Sequence, residues 1–154
     1  METNATLPEQ LWFALRKAAT MMERRAEAVV TRETGVSLGL YMVLSVLDAR
    51  PEMGSQQAIA DRLGLTKGTV SRLLEGARTA GLADTAPSPT SRRERIVTLT
   101  DAGRALVRAA DAALLASDVG TYADREPDAA RAVIAGLDGL IASLEGRGSA
   151  PLEG

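Results

Sequence analysis

Apolar positions recur at spacings of three and four through most of this chain, with clear alternation only over residues 95–100. The first helical pattern covers residues 8–33, PEQLWFALRKAATMMERRAEAVVTRE, with Leu11, Leu15, Ala18, Met22 and Val29 on or near one stripe. A second runs from 101 to 119 through Leu106, Ala109, Ala110, Ala113 and Leu114 toward Val119. After a break expected at Gly120–Pro127, a third covers 128–145 with Ala130, Val133, Ile134, Leu137, Ile141 and Leu144. Each stripe needs a partner surface.

The centre of the chain reads differently. Ser55 is suited to N-cap a short helix whose Ile59 and Leu63 share a face beside Ala60. Gly64 fits the left-handed position that ends it, and Leu65 can fold back as the hydrophobic contact of that cap. Thr66 is the next N-cap, and Val70, Leu73, Leu74 and Ala77 follow at i, i+3, i+4 and i+7. The opposite face carries Lys67, Gly68, Ser71, Arg72, Glu75 and Arg78, with Thr69 at its border. Gly81 and Leu82 repeat the stop signal.

Two strands are predicted next. Residues 82–86 form a short, weakly patterned one, and 95–100 a β-branched one with Ile96, Thr98 and Thr100 opposite Val97 and Leu99. Between them Pro87-Ser88-Pro89-Thr90-Ser91-Arg92-Arg93-Glu94 is too polar and Pro-rich to pack, so it projects as a loop. Thr100 or Asp101 caps the helix that follows. The predicted fold is mainly α with a small β wing, a winged helix-turn-helix flanked by N- and C-terminal helices.

That order of pieces places one helix in a DNA major groove. Small and hydroxyl side chains let the backbone approach, while Lys67 and Arg72 reach guanine acceptors or phosphates. Arginine on a loop tip suits the narrow minor groove. The expected contacts to double-stranded DNA are Thr66, Lys67, Gly68, Thr69, Ser71, Arg72, Arg78, Arg92, Arg93 and Arg95.

The runs LGLTKGTVSRLLEGARTAGL and SRRERIVTLTDAGRAL, with SLGLYMVLSVLDARP upstream, resemble the multiple-antibiotic-resistance regulator (MarR) family. With the flanking helices the resemblance spans roughly residues 8–145, specific in the middle and architectural at the ends. It implies a homodimer that binds palindromic DNA, commonly a repressor released by small ligands or oxidants. The recognition helix would be 66–80, with Lys67, Thr69, Ser71 and Arg72 nearest the DNA. Arg93 matches the family's groove-inserting arginine. Ser91 stands where the family's aspartate braces it, and Glu94 lies close enough in sequence to substitute in part. The family's effector pocket, where dimer helices meet the winged domain, maps to Trp12, Arg16, Met22, Tyr41 and Ser45. The implied organisation is a dimerisation helix over 1–36, the winged domain over 37–103, and dimerisation helices with a tail over 104–154.

Charge fits once it is localised. The chain carries −2 overall, but between residues 66 and 95 six cations face three anions, leaving +3 there and −5 elsewhere. Without histidine or cysteine there is no thiol switch, no disulfide and no ordinary nitrogen or sulfur metal site. The same absence removes the usual general base and thiol nucleophile, and no Gly-rich phosphate loop occurs, so neither enzyme activity nor a cofactor is expected. No apolar run approaches the ~20 residues of a membrane span and no signal-peptide pattern opens the chain, so a cytoplasmic protein is expected. The rival reading is a winged helix that grips protein, or serves dimerisation, without binding an operator.

Overall fold

The computed structural model describes residues 5–92 and 95–147. Its elements are α1 (Leu7–Thr34), α2 (Leu38–Ala49), a single 3-10 turn at Pro51–Met53, α3 (Gln56–Leu63) and α4 (Lys67–Thr79). Strands β1 (Ala83–Pro87) and β2 (Arg95–Leu99), then α5 (Asp101–Leu115), α6 (Asp118–Arg125) and α7 (Pro127–Arg147), complete the order. The chain divides into two compact units between Leu114 and Leu115.

In the first unit the caps predicted at Ser55 and Thr66 form, and Ser37 adds one at α2. Ser37, Ser55 and Thr66 each accept a backbone N–H in the first turn of α2, α3 and α4, from Leu40, Ala58 and Thr69, all at 3.2 Å. Gly64 and Gly81 take φ of 64° and 72°, values open to glycine at low cost. The following leucines then close the turn, Leu65 N–H on the Ala60 carbonyl at 3.0 Å and Leu82 N–H on the Ala77 carbonyl at 2.9 Å. Because Leu82 is committed to that cap, β1 starts one residue later than its sequence pattern suggests.

The two strands pair antiparallel in the register Ala83↔Leu99, Thr85↔Val97 and Pro87↔Arg95. Thr100 joins three elements: its hydroxyl donates to the Gly81 carbonyl (2.7 Å) and accepts the Gly103 N–H (3.1 Å). Its own N–H donates to the Leu82 carbonyl at 3.1 Å. Gly103 sits so close to the backbone leaving that cap that a Cβ there would lie 2.0 Å from the Leu82 oxygen.

The core runs through Val30, Val43, Leu44, Ile59, Val70, Val97 and Val107, all buried, and no polar side chain is buried with them among the described residues. Val70, Leu74 and Ala77 are the buried face of α4, with Leu73 packed at the margin. Helix α1 contributes only Val30 to this core. Most of its length is uncovered, including Leu7, Leu11, Trp12 and Phe13, each at least half exposed. Since α5 places Val107 and Ala110 in the core, the unit continues through that helix.

The second unit corrects one expectation. The break expected at Gly120–Pro127 is mostly helix, with one interruption earlier, between Leu115 and Asp118, and a second at Glu126 within the expected range. Gly120 is a close-approach residue rather than a breaker, since a Cβ would lie 2.1 Å from the Leu115 carbonyl oxygen. Thr121 N–H then bonds the Ser117 carbonyl at 2.9 Å and α6 proceeds. It stops at Glu126, whose φ of −127° and ψ of 58° are non-helical, as a residue before proline prefers. Pro127 opens α7. Val119 therefore belongs to α6, the tail expected from Gly146 begins inside α7, and its residues beyond 147 lie outside the described residues. Val133, Ile134, Ile141 and Leu144 on α7 are all more than half exposed.

Candidate nucleic-acid interface

The buried stripe of α4 fixes what the opposite face shows. With Val70, Leu74 and Ala77 inward, Lys67, Gly68, Ser71 and Arg72 are exposed together on the outer side of the first two turns. Thr66 and Thr69 are less free, because their hydroxyls lie 2.9 Å apart and the Thr66 oxygen also caps Thr69 N–H. They set the start of the helix, and two cations follow on its open face.

Arg78 differs from those cations. Its Nη2 and Nε donate to the two Glu75 oxygens at 2.6 and 3.1 Å, a two-pronged pair one turn apart. That pairing lowers the Glu75 carboxyl pKa and raises that of Arg78, through the hydrogen bonds first and charge attraction second. The pair stands in solvent, so its value to stability is small. Its effect is on charge, since the Glu75 carboxylate offsets the Arg78 cation on that face.

The wing is braced at its base. Arg95 Nη2 donates to the Thr85 hydroxyl at 3.1 Å and to the Thr85 carbonyl at 3.3 Å, across the two strands. Nearer the tip, Ser88 Oγ accepts Thr90 N–H at 3.2 Å and lies 3.1 Å from the Thr90 hydroxyl, a local turn that needs no partner elsewhere. Arg92 is exposed and Ser91 half-buried. Arg93 and Glu94 lie outside the described residues.

A cleft of about 360 Å3 joins α4 to the wing base and brings Ser71, Glu75, Arg78, Thr85 and Arg95 together with Gln56. Sequence reasoning passed over Gln56 and Thr85. Gln56 had a signal, as the first helical residue after the Ser55 cap. Thr85 had none, because its role depends on strand register.

The sequence-derived effector residues are not gathered within one protomer. Trp12 stands eighteen positions before Val30, where α1 joins the core, which is about 27 Å along the helix axis. Arg16 lies in a shallow groove on α1 with Phe13, Lys17 and Met21, and Met22 is exposed. On α2, half-buried Ser45 lies one turn after Tyr41, whose hydroxyl donates to Asp111 Oδ1 on α5 at 2.5 Å. Burial, then the Asp111 carboxylate, push the Tyr41 pKa up to about 12, with the Ser45 hydroxyl acting the other way. Among the described residues no group of acidic side chains is placed to hold a metal, and no helix is long and apolar enough to cross a membrane.

Comparison with known proteins agrees with this geometry. Residues 34–94, from the end of α1 to the wing tip, match the MarR family. A putative transcriptional regulatory protein for the hcr operon of Thauera aromatica is 26% identical over 134 residues, 87% of this chain and 80% of its own. Among solved structures, a MarR family regulator from Streptomyces coelicolor in complex with DNA superposes with a TM-score of 0.73 at 22% identity, covering 99% of this chain and 94% of that one. BpsR of Bordetella bronchiseptica, whose DNA binding is regulated by 6-hydroxynicotinic acid, gives 0.71 at 22% identity, covering 86% and 98%. At these identities the structural likeness is one of fold. Over its winged helix-turn-helix the chain resembles the MarR family.

Proposed function

We propose that the chain is a sequence-specific DNA-binding transcriptional regulator, a cytoplasmic homodimeric repressor of two-fold operators that responds to a small molecule, and not an enzyme. The observation that carries this reading is the outer face of α4, where Lys67, Ser71 and Arg72 stand open beside a braced two-stranded wing. The hydroxyl and guanidinium groups suit base edges and phosphates, and the wing supports contact with the adjacent groove. The regulators from Streptomyces coelicolor and Bordetella bronchiseptica supply the precedent for DNA and for an aromatic acid as effector.

Self-association is supported by apolar surface with no cover. Leu11, Trp12 and Phe13 on α1, and Val133, Ile134 and Ile141 on α7, are each at least half exposed. Dimerisation helices over 1–36 and 104–154 would bury them, and a two-fold dimer matches a two-fold site. The local charge of +3 per protomer is modest, so binding needs both halves and weakens with salt.

The test is selection of genomic fragments retained by the purified protein, followed by affinity measurement on the recovered sites. Arg72→Ala should weaken operator binding by about 1–3 kcal/mol. No retained fragment at moderate salt, with Arg72→Ala indistinguishable from the parent, would overturn the reading and leave a protein-contact module.

A further inference from the structure

Most glycines of the winged domain have a reason inside the fold. Gly64 and Gly81 take positive φ. A Cβ would lie 2.0 Å from backbone at Gly103 and 3.3 Å from it at Gly54, and at Gly39 it would pack on Leu73 at 3.7 Å. Gly68 and Gly76 have no such reason. Both lie in α4, neither takes positive φ, and a Cβ on either would meet nothing within 4 Å. Alanine holds a helix better and has less backbone freedom to lose on folding, so glycine is the weaker choice at both places. Two glycines of the recognition helix therefore serve nothing within the protomer.

Their positions on the helix differ. At about 100° per residue, Gly68 and Arg72 fall within about 30° of the direction opposite the buried Val70, Leu74 and Ala77. Gly68 is thus on the crest of the open face and in the first turn, the part of a recognition helix that contacts base edges. Gly76 lies about 50° off that crest and about 12 Å farther along the axis. Exposed Lys67, Ser71 and Arg72 stand round Gly68, the first beside it in sequence and the others one turn on, at i+3 and i+4. Side chains with reach thus rim a patch of bare backbone. That patch offers shape and no side-chain donor or acceptor. Among base edges in the major groove, the group read by shape is the 5-methyl of thymine.

We infer that Gly68 is a specificity-determining residue of the DNA interface, where the α4 backbone closes on a base pair and seats the 5-methyl of a thymine. Lys67 and Arg72 reach past it to guanine acceptors or phosphates on either side. A Cβ at this position would occupy the space of that methyl, so helix stability is given up here for sequence reading. This role rests on the DNA-binding reading and adds to it which position of α4 discriminates between bases.

The experiment compares full-length Gly68→Ala and Gly76→Ala with the parent on an operator recovered by fragment selection. Both variants should fold, with Tm raised by about 1–4 °C. Anisotropy titration should show operator binding weakened about tenfold by Gly68→Ala and unchanged by Gly76→Ala. Deoxyuridine then replaces each thymine of the half-site in turn, in both halves at once, which removes the methyl alone. At one position the parent should lose about fourfold. At that same position Gly68→Ala should regain most of its lost affinity, because the hole admits the new Cβ. Equal operator affinity of Gly68→Ala and the parent overturns the inference. A loss that no deoxyuridine relieves does so too, since it marks an approach to phosphate, uniform across sequences. A lowered Tm for Gly68→Ala would give the glycine a structural reason, and an equal loss from Gly76→Ala would mark displacement of the whole helix. Either of these overturns it as well. If the parent retains no fragment, the DNA-binding reading fails and the role of Gly68 falls with it. If fragments are retained and Gly68→Ala binds them as the parent does, the role of Gly68 alone fails.

Discussion

Tyr41 on α2 and Asp111 on α5 are seventy positions apart in sequence and joined by a 2.5 Å hydrogen bond, from the phenol to the carboxylate. This is a polar link from the helix beneath the helix-turn-helix to the helix that leaves the wing. Removing the donor by Tyr41→Phe should cost about 1–2 kcal/mol in urea unfolding, because the bond is to a charged acceptor in a partly buried place.

The same pair sets a pH dependence. Folding raises the Tyr41 pKa from 10.0 to about 12, so the folded state holds this proton more tightly than the unfolded chain. The associated stability is fully present below pH 10 and is lost as pH rises through about 12. Alkaline unfolding followed by circular dichroism should show this loss in the parent and a flatter profile in Tyr41→Phe. Identical profiles would sink the assignment.

Glu75 holds Arg78 in an ion pair on the exposed face of α4. Glu75→Ala should free that guanidinium, tighten operator binding and steepen the salt dependence by about one phosphate contact. Arg78→Ala should cost less than Arg72→Ala, whose side chain is open. Equal losses for the two arginines, measured by anisotropy across a salt series, would show that the ion pair is broken on DNA.

Gly103→Ala should be among the most damaging single methyl additions in the chain. The new Cβ meets a backbone oxygen at 2.0 Å, and neither the strand nor α5 can move without loosening the other. A loss of about 3 kcal/mol or more is expected in denaturant unfolding, with no need for DNA to be present.

The DNA-binding half of the fold was legible because its signals are local. Ser55, Thr66, Gly64-Leu65 and Gly81-Leu82 each bond within five residues, so the sequence window contains the whole interaction. The features that were missed are those whose partner lies elsewhere or whose residue type is ambiguous. Gly120 carries the composition of a break, yet its lack of a side chain admits the Leu115 carbonyl and lets a helix begin. Arg78 counted as a free cation until helix geometry placed Glu75 beside it. Thr85 became significant only through the register that sets it against Val97 and within reach of Arg95.

Thr100 ties the end of α4, the exit of β2 and the first turn of α5 into one knot, with Gly103 pressed against Leu82 beneath it. Inserting even one residue on either side of that knot would pull a helix start away from a strand end. Between β1 and β2, Ser88 and Thr90 bond to each other in a local turn apart from that knot. Lengthening or shortening that turn changes how far the wing reaches along the duplex while the core stays in register. A change of length at the Ser88–Thr90 turn should therefore alter operator preference while the Thr100 knot still ties α4, β2 and α5.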